Sequence, residues 1–180
     1  MTFEEVVNKR KSIRNYSNKP VEIEKLIRIC DFARLAPSSC NSQPWIMHII
    51  NEDSSELEDV KKACHFLGLN KFIKDVNSFI VVEQASSNLT VKVGEKFMKN
   101  DFNSIDLGIL ASYISLKATE EGLGSCILGG FRKESIQKAM NFKDNQVVRF
   151  IVAVGYTDEN IDNKNTPRKD FEKVVKIHKK

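Results

Sequence analysis

A short basic segment near the start of the chain (residues 10–14) has the residue types that bind anions. Arg10, Lys11, Ser12 and Arg14 follow one another closely in it. Two guanidinium groups and an ammonium group can give a phosphate charge-assisted hydrogen bonds, and the serine hydroxyl adds a small neutral donor. A solvated, charged turn has the same composition. The basic segment therefore predicts either a phosphate site or an exposed turn.

Uncharged polar side chains dominate a second stretch, the polar loop (residues 36–44), which reads Ala-Pro-Ser-Ser-Cys-Asn-Ser-Gln-Pro and is followed by Trp45. Pro37 and Pro44 restrict the backbone at its two ends, and Ser and Asn favour turns. Hydroxyl and amide groups held in this way suit the edge of a bound heterocycle. Such clusters are also ordinary loop material, so a loop without a ligand is the alternative.

Glycines mark a third candidate region, over residues 122–131. Gly122 and Gly124 form a G-x-G that lacks the last glycine of a dinucleotide-binding fingerprint, so that kind of site is not favoured. Gly129 and Gly130 would let the backbone approach a flat ligand, because a Cβ would block such an approach. A plain turn is the alternative interpretation of this second pair.

The cysteines and histidines do not have the spacing of metal ligands. No C-x-x-C pair occurs, and the histidines are scattered along the chain. We therefore assign no metal and expect the thiols to be reduced. The residues concerned are Cys30, Cys40, Cys64, Cys126, His48, His65 and His178.

The length and composition are typical of one globular domain. The chain has 180 residues, of which 41% are hydrophobic and 29% are charged. No apolar run approaches the roughly 20 residues that a membrane span needs. The first residues are acidic and lack the basic and apolar regions of a secretory signal. We expect a single domain over residues 1–180, no membrane partner and a cytoplasmic location.

Hydrophobic periodicity predicts helices around a small sheet. Thr2 and Glu5 form a capping box for the first helix, and the most regular helix, over residues 105–121, ends at Gly122. Its apolar side is expected to face the core through Leu107, Leu110, Ala111, Ile114 and Ala118. The other predicted helices cover residues 2–11, 21–35, 55–67 and 134–140, and the predicted strands cover residues 45–50, 78–83, part of 122–131 and 147–155.

Two parts of the chain give more specific structural expectations. Ser55 and Glu58 are expected to cap the third helix, with Leu67 on its inner side. Residues 84–103 lack clear periodicity and are expected to form a long loop. Its isolated apolar residues would anchor the loop to the core or line a pocket; they are Phe97, Met98 and Phe102.

The basic charge is concentrated at the end of the chain. Residues 164–180 contain seven Lys or Arg residues and two acids, a balance of +5 that leaves −1 for the rest of a chain with net charge +4. After a polar linker over residues 158–166, Arg168 and Lys169 open a C-terminal tail (residues 167–180) that also contains Phe171, Val174, Val175 and Ile177. We expect this tail to pack along a surface and to hold Arg168 or Lys169 at an anion site.

The order of these motifs resembles that of the FMN-dependent nitroreductase family over nearly the whole chain. The family pattern R-R/K-S-I/V-R-x-Y/F is matched from Arg10 to Tyr16, and A-P-S-x-x-N-x-Q-P-W is matched from Ala36 to Trp45. A third pattern, G-L-G-S/T-C followed by G-G/E-F, is matched over residues 122–131. The late P-R-K is matched over residues 167–169.

The resemblance implies an α+β fold in which helices flank a mixed sheet. It also implies an intertwined homodimer with the long helix in its core, the tail crossing to the partner, and two FMN sites built from both chains. The phosphate would be held by Arg10, Lys11, Ser12, Arg14, Arg168 and Lys169. The ring and ribityl region would contact Pro37, Ser38, Ser39, Asn41 and Gln43 of the other chain. The backbone of Gly129 and Gly130 would approach the reactive edge, and Asn70 or Lys71 would lie on the pyrimidine side.

The implied activity is an NAD(P)H-dependent reduction of nitroaromatic or quinone-type acceptors by hydride transfer in a ping-pong cycle. Because the flavin performs the redox chemistry, no catalytic side chain is assigned, and Cys40 is interpreted as a small filler of the polar loop. Other flavin reactions of similar proteins are alternatives: reductive dehalogenation, azoline oxidation, and flavin reduction or cleavage. A noncatalytic protein that binds phosphate or nucleic acid is an alternative of a different class.

Overall fold

The computed structural model describes residues 1–157 and 166–179, so most of the predicted linker, residues 158–165, lies outside the described residues. None of the described helices combines the length and the apolar character needed to cross a membrane. The helices are α1 (Phe3–Lys9), α2 (Ile23–Ala33), α3 (Leu57–Cys64), α4 (Leu89–Met98), α5 (Phe102–Glu120), α6 (Lys133–Ala139) and α7 (Phe171–Val174). The strands are β1 (Trp45–Ile50), β2 (Ser78–Gln84), β3 (Gly124–Leu128) and β4 (Val147–Gly155), and short 3₁₀ turns lie at Ser39–Asn41 and Lys71–Asp75.

The four strands form one sheet in the order β1-β2-β4-β3, and each neighbouring pair is antiparallel. A parallel bridge between Ser12 and Ser125 adds the basic segment to the outer edge of β3. The central strands are therefore β2 and β4, which are far apart in the sequence. This order could not be inferred from the strand positions alone.

Helices cover both faces of the sheet. Phe79 and Val81 of β2 point into a core shared with α3 and α6, and Ile80 and Val82 point into a core shared with α2 and α5. All four side chains are fully buried. A strand buried on both faces has a continuous apolar run instead of an alternating pattern, as residues 79–82 do. The prediction of an α+β fold with a sheet flanked by helices is confirmed.

The long helix α5 begins and ends at identifiable signals. The carboxylate of Asp101 accepts a hydrogen bond from the Ser104 N–H and caps its start, three residues before the predicted position. At its end, Gly122 has φ +79°, and the N–H groups of Gly122 and Leu123 donate to the carbonyls of Thr119 and Ala118. These bonds form a Schellman motif. The five apolar residues predicted to face the core are all buried.

A helix over residues 89–98 replaces half of the long loop predicted over residues 84–103. The Asn88 side chain accepts a hydrogen bond from the Val91 N–H and caps α4. Val91 is buried, but Phe97 and Met98 are 82% and 70% exposed, so the expected anchoring by these two residues is wrong. Most apolar residues of α4 face outward in the single chain. Their spacing therefore does not form the single core-facing stripe by which a helix is usually recognised in a sequence.

The start of α3 also differs from the prediction. The helix begins at Leu57 without a side-chain cap, so the capping role predicted for Ser55 is wrong. Instead, the hydroxyl of Ser54 bonds to the backbone and side chain of Asn51 in the preceding turn. The helix ends at Cys64, which leaves Leu67 in the following turn and 82% exposed.

Candidate functional site

The basic segment lies along the free edge of β3. Helix α1 begins with the predicted Thr2 and Glu5 capping box and ends at Lys9, so Arg10 is its C-terminal cap. The chain then becomes extended, and the Ile13 N–H donates to the Ser125 carbonyl at 2.9 Å. In an extended segment, successive side chains point to opposite sides. Ile13 is half-buried against the core, whereas Ser12 and Arg14 are exposed.

The Arg14 guanidinium contributes a positive charge at this edge. One of its nitrogens donates to the Ser12 carbonyl at 3.4 Å. Burial raises the pKa of the Tyr16 hydroxyl and that of the Cys126 thiol, and in both cases the Arg14 charge partly offsets the effect. A positive charge at this exposed edge is what a phosphate site needs.

The glycine pair Gly129 and Gly130 lies beside Asn70. The side-chain amide of Asn70 donates to the carbonyls of Cys64 and Gly130, both at 3.1 Å, and the residue adopts a left-handed conformation with φ 53°. These bonds place Asn70 and the exposed Lys71 next to the glycine pair. The structure thus brings together two groups of candidate residues that are about 60 positions apart in the sequence.

Neither packing nor backbone conformation within the described chain requires glycine at residues 129 and 130. A Cβ on Gly129 would meet nothing within 4 Å, and a Cβ on Gly130 would meet only Leu69, at an ordinary 3.7 Å. Neither residue has the positive φ that favours glycine. Gly122 and Gly124, in contrast, are explained by the α5 cap and by close packing against Ile13. The G-x-G at residues 122–124 is therefore structural.

The polar loop is fixed to α5 and α4 by hydrogen bonds. The backbone N–H of Ser39 donates to both carboxylate oxygens of Asp106, and the Ser39 hydroxyl donates to one of them, all at 3.0 Å. The Asn88 amide donates to the Cys40 carbonyl at 3.1 Å, and the Asn88 N–H donates to the Ser42 hydroxyl at 2.9 Å. Sequence reasoning missed Asp106 and Asn88. Asp106 could have been found, because an acid on the inward stripe of α5 needs a buried partner.

Bonds within the polar loop hold an unusual backbone. The Ser38 hydroxyl accepts from the Gln43 N–H at 2.9 Å, and the Gln43 amide donates to the carbonyl and side chain of Asn41 at 3.2 Å. Cys40, Asn41 and Gln43 all have φ near 50°. A non-glycine residue in this region costs on the order of 1 kcal/mol. Pro37 is exposed and Pro44 is buried, so only the second proline anchors the loop to the interior.

The polar loop is bonded to the start of α5, and the basic segment is bonded to β3, which follows the end of that helix. Asp106 lies in the second turn of the helix, whereas Ser125 follows its C-terminal cap. A rise of 1.5 Å per residue separates the turns at Asp106 and Glu120 by roughly 20 Å. One chain therefore presents two separate groups of candidate residues: the polar loop at one end of α5, and the basic segment with the β3 edge at the other.

Arg168 and Lys169 are exposed in the tail, and neither side chain makes a hydrogen bond or an ion pair among the described residues. Phe171 and Ile177 of the same tail are 61% and 69% exposed. The predicted role of these two residues at an anion site remains a prediction.

The similarities to known proteins agree with the motif order. Residues 7–156 match the sequence model of the Nitroreductase family. The fold superimposes on the FMN-dependent nitroreductase of Clostridium difficile R20291 with a TM-score of 0.75 and 30% identity, covering 96% of this chain and 98% of the other. The 4-nitrobenzoate reductase of Pseudomonas putida is 24% identical (88% of this chain, 86% of the relative), and the iodotyrosine deiodinase of Thermotoga neapolitana is 26% identical (86% and 88%). This chain belongs to the nitroreductase family.

Proposed function

We propose that the protein is a homodimeric, FMN-dependent oxidoreductase that uses NAD(P)H to reduce nitroaromatic or quinone-type acceptors. The observation that carries the proposal is that the polar loop is bonded to the start of α5, whereas the basic segment is bonded to β3, which follows the end of α5. A second copy of the chain could bring its polar loop to the basic segment of the first. Family membership and the activities of the relatives support the same function.

The residues present fit FMN. The basic segment offers cationic and hydroxyl donors for a phosphate, and the polar loop offers neutral polar groups for the ring and ribityl chain. The exposed Gly129 and Gly130 have no packing role, so a flat ligand against their backbone would explain why side chains are absent there.

Each group has a distinct task in the proposed site. Arg10, Lys11, Ser12 and Arg14 would hold the phosphate, and Arg168 and Lys169 would join them if the tail crosses the dimer. Asn70 or Lys71 would lie on the pyrimidine side. The Lys71 ammonium group would stabilise negative charge there, whereas the Asn70 amide nitrogen, which donates to the carbonyls of Cys64 and Gly130, would hold the glycine pair in position. From the partner chain, the polar loop would exclude water and fix the ring through Pro37, Ser38, Ser39, Asn41 and Gln43.

Bound FMN would supply the redox chemistry, accepting a hydride from NAD(P)H and passing electrons to an acceptor in ping-pong order. The protein residues then only bind, orient and exclude water, so no side chain is assigned as a nucleophile. Cys40 is exposed, but nothing in the proposed reaction requires a thiol. The exposed apolar surfaces of the tail and of α4 support burial against a second copy.

Anaerobic reduction tests the proposed activity. Protein reconstituted with FMN is mixed with NADH or NADPH under nitrogen, and absorbance near 450 nm is followed without an acceptor. Bleaching that is reversed by adding a nitroaromatic compound or a quinone is the expected result, because ping-pong order allows the first half-reaction alone. Unchanged absorbance with both nucleotides would contradict the proposal.

Mixed dimers test whether each site uses two chains. An Arg14→Ala chain and a Ser38→Ala/Asn41→Ala chain are refolded together, and the mixed dimer is isolated by two affinity tags. If the phosphate donors and the polar loop of one site come from different chains, the mixed dimer has one intact site and binds half the wild-type amount of FMN. If one chain supplied both groups, both sites would remain defective.

The similarity to an iodotyrosine deiodinase favours reductive dehalogenation as a second candidate reaction at the same site. It would use the same reduced cofactor with a halogenated phenol as acceptor. Halide release under anaerobic turnover, measured beside nitroaromatic consumption, separates the two reactions. The noncatalytic nucleic-acid-binding alternative has no comparable support among the relatives.

A further inference from the structure

Two glycines that are paired on neighbouring strands are packed against side chains of the extended segment that includes residues 12–16. Gly124, the first residue of β3, is the register partner of Gly155, the last residue of β4. A Cβ on Gly124 would lie 2.8 Å from Cγ1 of Ile13 and 3.0 Å from its Cβ and Cγ2. A Cβ on Gly155 would lie 2.8 Å from Cδ1 of Tyr16. Neither glycine has a positive φ, so side-chain space, and not backbone conformation, requires them.

Ile13 and Tyr16 connect these glycines to the basic segment. Ile13 stands between Ser12 and Arg14, and its N–H is bonded to Ser125, the neighbour of Gly124. Tyr16 is 5% exposed, its ring stacks on that of Phe72 with centroids 6.0 Å apart, and the next N–H, that of Ser17, donates to the Tyr156 carbonyl. The extended segment that includes these residues is thus bonded to Ser125 of β3 and to Tyr156, the residue after β4.

The atoms that approach Gly124 cannot move independently of the backbone. Ile13 is branched at Cβ, and its Cβ itself would be 3.0 Å from a new methyl group. Rotation about χ1 cannot remove that contact, so residues 12–14 would have to shift away from the sheet. A shift of less than 1 Å is enough to weaken hydrogen bonds to a bound phosphate, because these bonds depend on distance and angle.

We infer that Gly124 and Gly155 are positioning residues: they seat Ile13 and Tyr16 so that Ser12 and Arg14 are held in place for a phosphate group. This inference rests on the proposed function, since it takes the basic segment as the phosphate site. Gly124 and Gly155 would thus affect the affinity for the cofactor without touching it. They would act through the packing of Ile13 and Tyr16.

Comparison of FMN with riboflavin, which lacks the phosphate, isolates this role. Dissociation constants for both flavins are measured by fluorescence quenching with wild-type protein, Gly124→Ala and Gly155→Ala. FMN affinity is expected to fall about tenfold or more in each variant, with riboflavin affinity within about twofold of wild type. Gly94→Ala is the matched control, because its new Cβ would meet only Phe102, at an ordinary 3.5 Å, and it is expected to change neither value.

A double-mutant cycle tests the contact itself. Ile13→Ala empties the space over Gly124 and should also lower FMN affinity, and Gly124→Ala/Ile13→Ala refills part of that space. The double variant should bind FMN more tightly than the sum of the two single losses predicts. If Gly124→Ala does not fold, Ile13→Ala alone still tests the role of the contact between Ile13 and Gly124. The expected result is a loss of FMN affinity with unchanged riboflavin affinity.

The outcomes separate the inference from the proposed function. If wild-type protein binds FMN more tightly than riboflavin and the glycine variants show the same preference, only the inference is overturned. Equal losses of FMN and riboflavin in the variants would also overturn it, because they would indicate a general effect on the fold. Wild-type protein that binds neither flavin would overturn both.

Discussion

The buried carboxylate of Asp106 accepts hydrogen bonds from both the backbone N–H and the hydroxyl of Ser39. Asp106 is only 2% exposed, and its two oxygens receive three hydrogen bonds of 3.0 Å from this one residue. A buried carboxylate must be matched by donors in this way. Since the Ser39 hydroxyl hydrogen is directed to Asp106, Ser39 can offer a ligand only the lone pairs of its oxygen.

Asp106→Asn should therefore loosen the polar loop. The amide nitrogen of the new side chain would face donors of Ser39, and one hydrogen bond would be replaced by a donor–donor contact. We expect the free energy of unfolding in urea to fall by about 1–3 kcal/mol. FMN and riboflavin affinity should fall together, because the loop is proposed to contact the ring. Asp144→Asn, in an exposed turn, is the control. Unchanged stability would show that Ser39 does not anchor the loop.

Arg14→Ala should weaken FMN binding selectively. Loss of a charge-assisted hydrogen bond to phosphate is expected to cost about 1.5–3 kcal/mol, or roughly 10- to 100-fold in Kd, without changing riboflavin affinity. Lys62→Ala removes a surface charge on α3 that is paired with Asp59, and should leave both constants unchanged. Flavin occupancy of the Arg14 variant equal to wild type would exclude the phosphate role.

Glu121 should make stability depend on pH in the acid range. Hydrogen bonding to Arg28 is the largest cause of a pKa lowered from 4.5 to about 2, with Lys117 adding to it. Because the folded-state pKa lies below the ordinary value, this stabilisation is present above about pH 4.5 and is lost as the pH falls towards 2. Urea unfolding at several pH values should show a shallower acid loss for Glu121→Gln than for wild type. Glu52→Gln, in an exposed turn, should keep the wild-type slope.

The four thiols should differ in reactivity in the apoprotein. Burial raises the pKa of Cys30 and that of Cys64 to about 12, and it also raises the pKa of Cys126, whereas Cys40 is exposed. Because the thiolate is the reactive form, a disulfide reagent at pH 8 should modify one thiol rapidly. Cys40→Ser should abolish the fast phase and Cys30→Ser should retain it. A fast phase of two or more thiols would disagree with the described burial.

Local signals were sufficient for much of this fold. The bounds of β1 and β4 follow directly from apolar runs between turn residues, and those strands occupy the predicted positions. Helix α5 was also predictable, because its apolar residues face a core and a glycine ends it. The positions of the basic segment and the polar loop followed from residue types, since both consist of short polar side chains or cations between apolar elements.

Long-range contacts explain what the sequence did not reveal. The bond between Ser39 and Asp106 joins residues 67 positions apart, and Gly124 is explained only once Ile13 is seen against it. Helix α4 was missed for a different reason, because its start depends on the Asn88 cap and its apolar side faces outward in the single chain. Hydrophobic periodicity indicates a helix reliably only where one face of that helix is buried against a core.

The position of β4 in the sheet has a consequence for synthesis of the chain. Among the described strands, β4 is the only strand partner of β3 and the second partner of β2, yet it is the last to leave the ribosome. At translation rates of roughly 5–20 residues per second, β2 waits several seconds for the strand that completes its pairing. During that interval a nascent chain has an unpaired strand edge whose central residues, 79–82, are apolar. The protein is therefore most vulnerable to aggregation before residue 155 has emerged, and much less so once β4 closes the sheet.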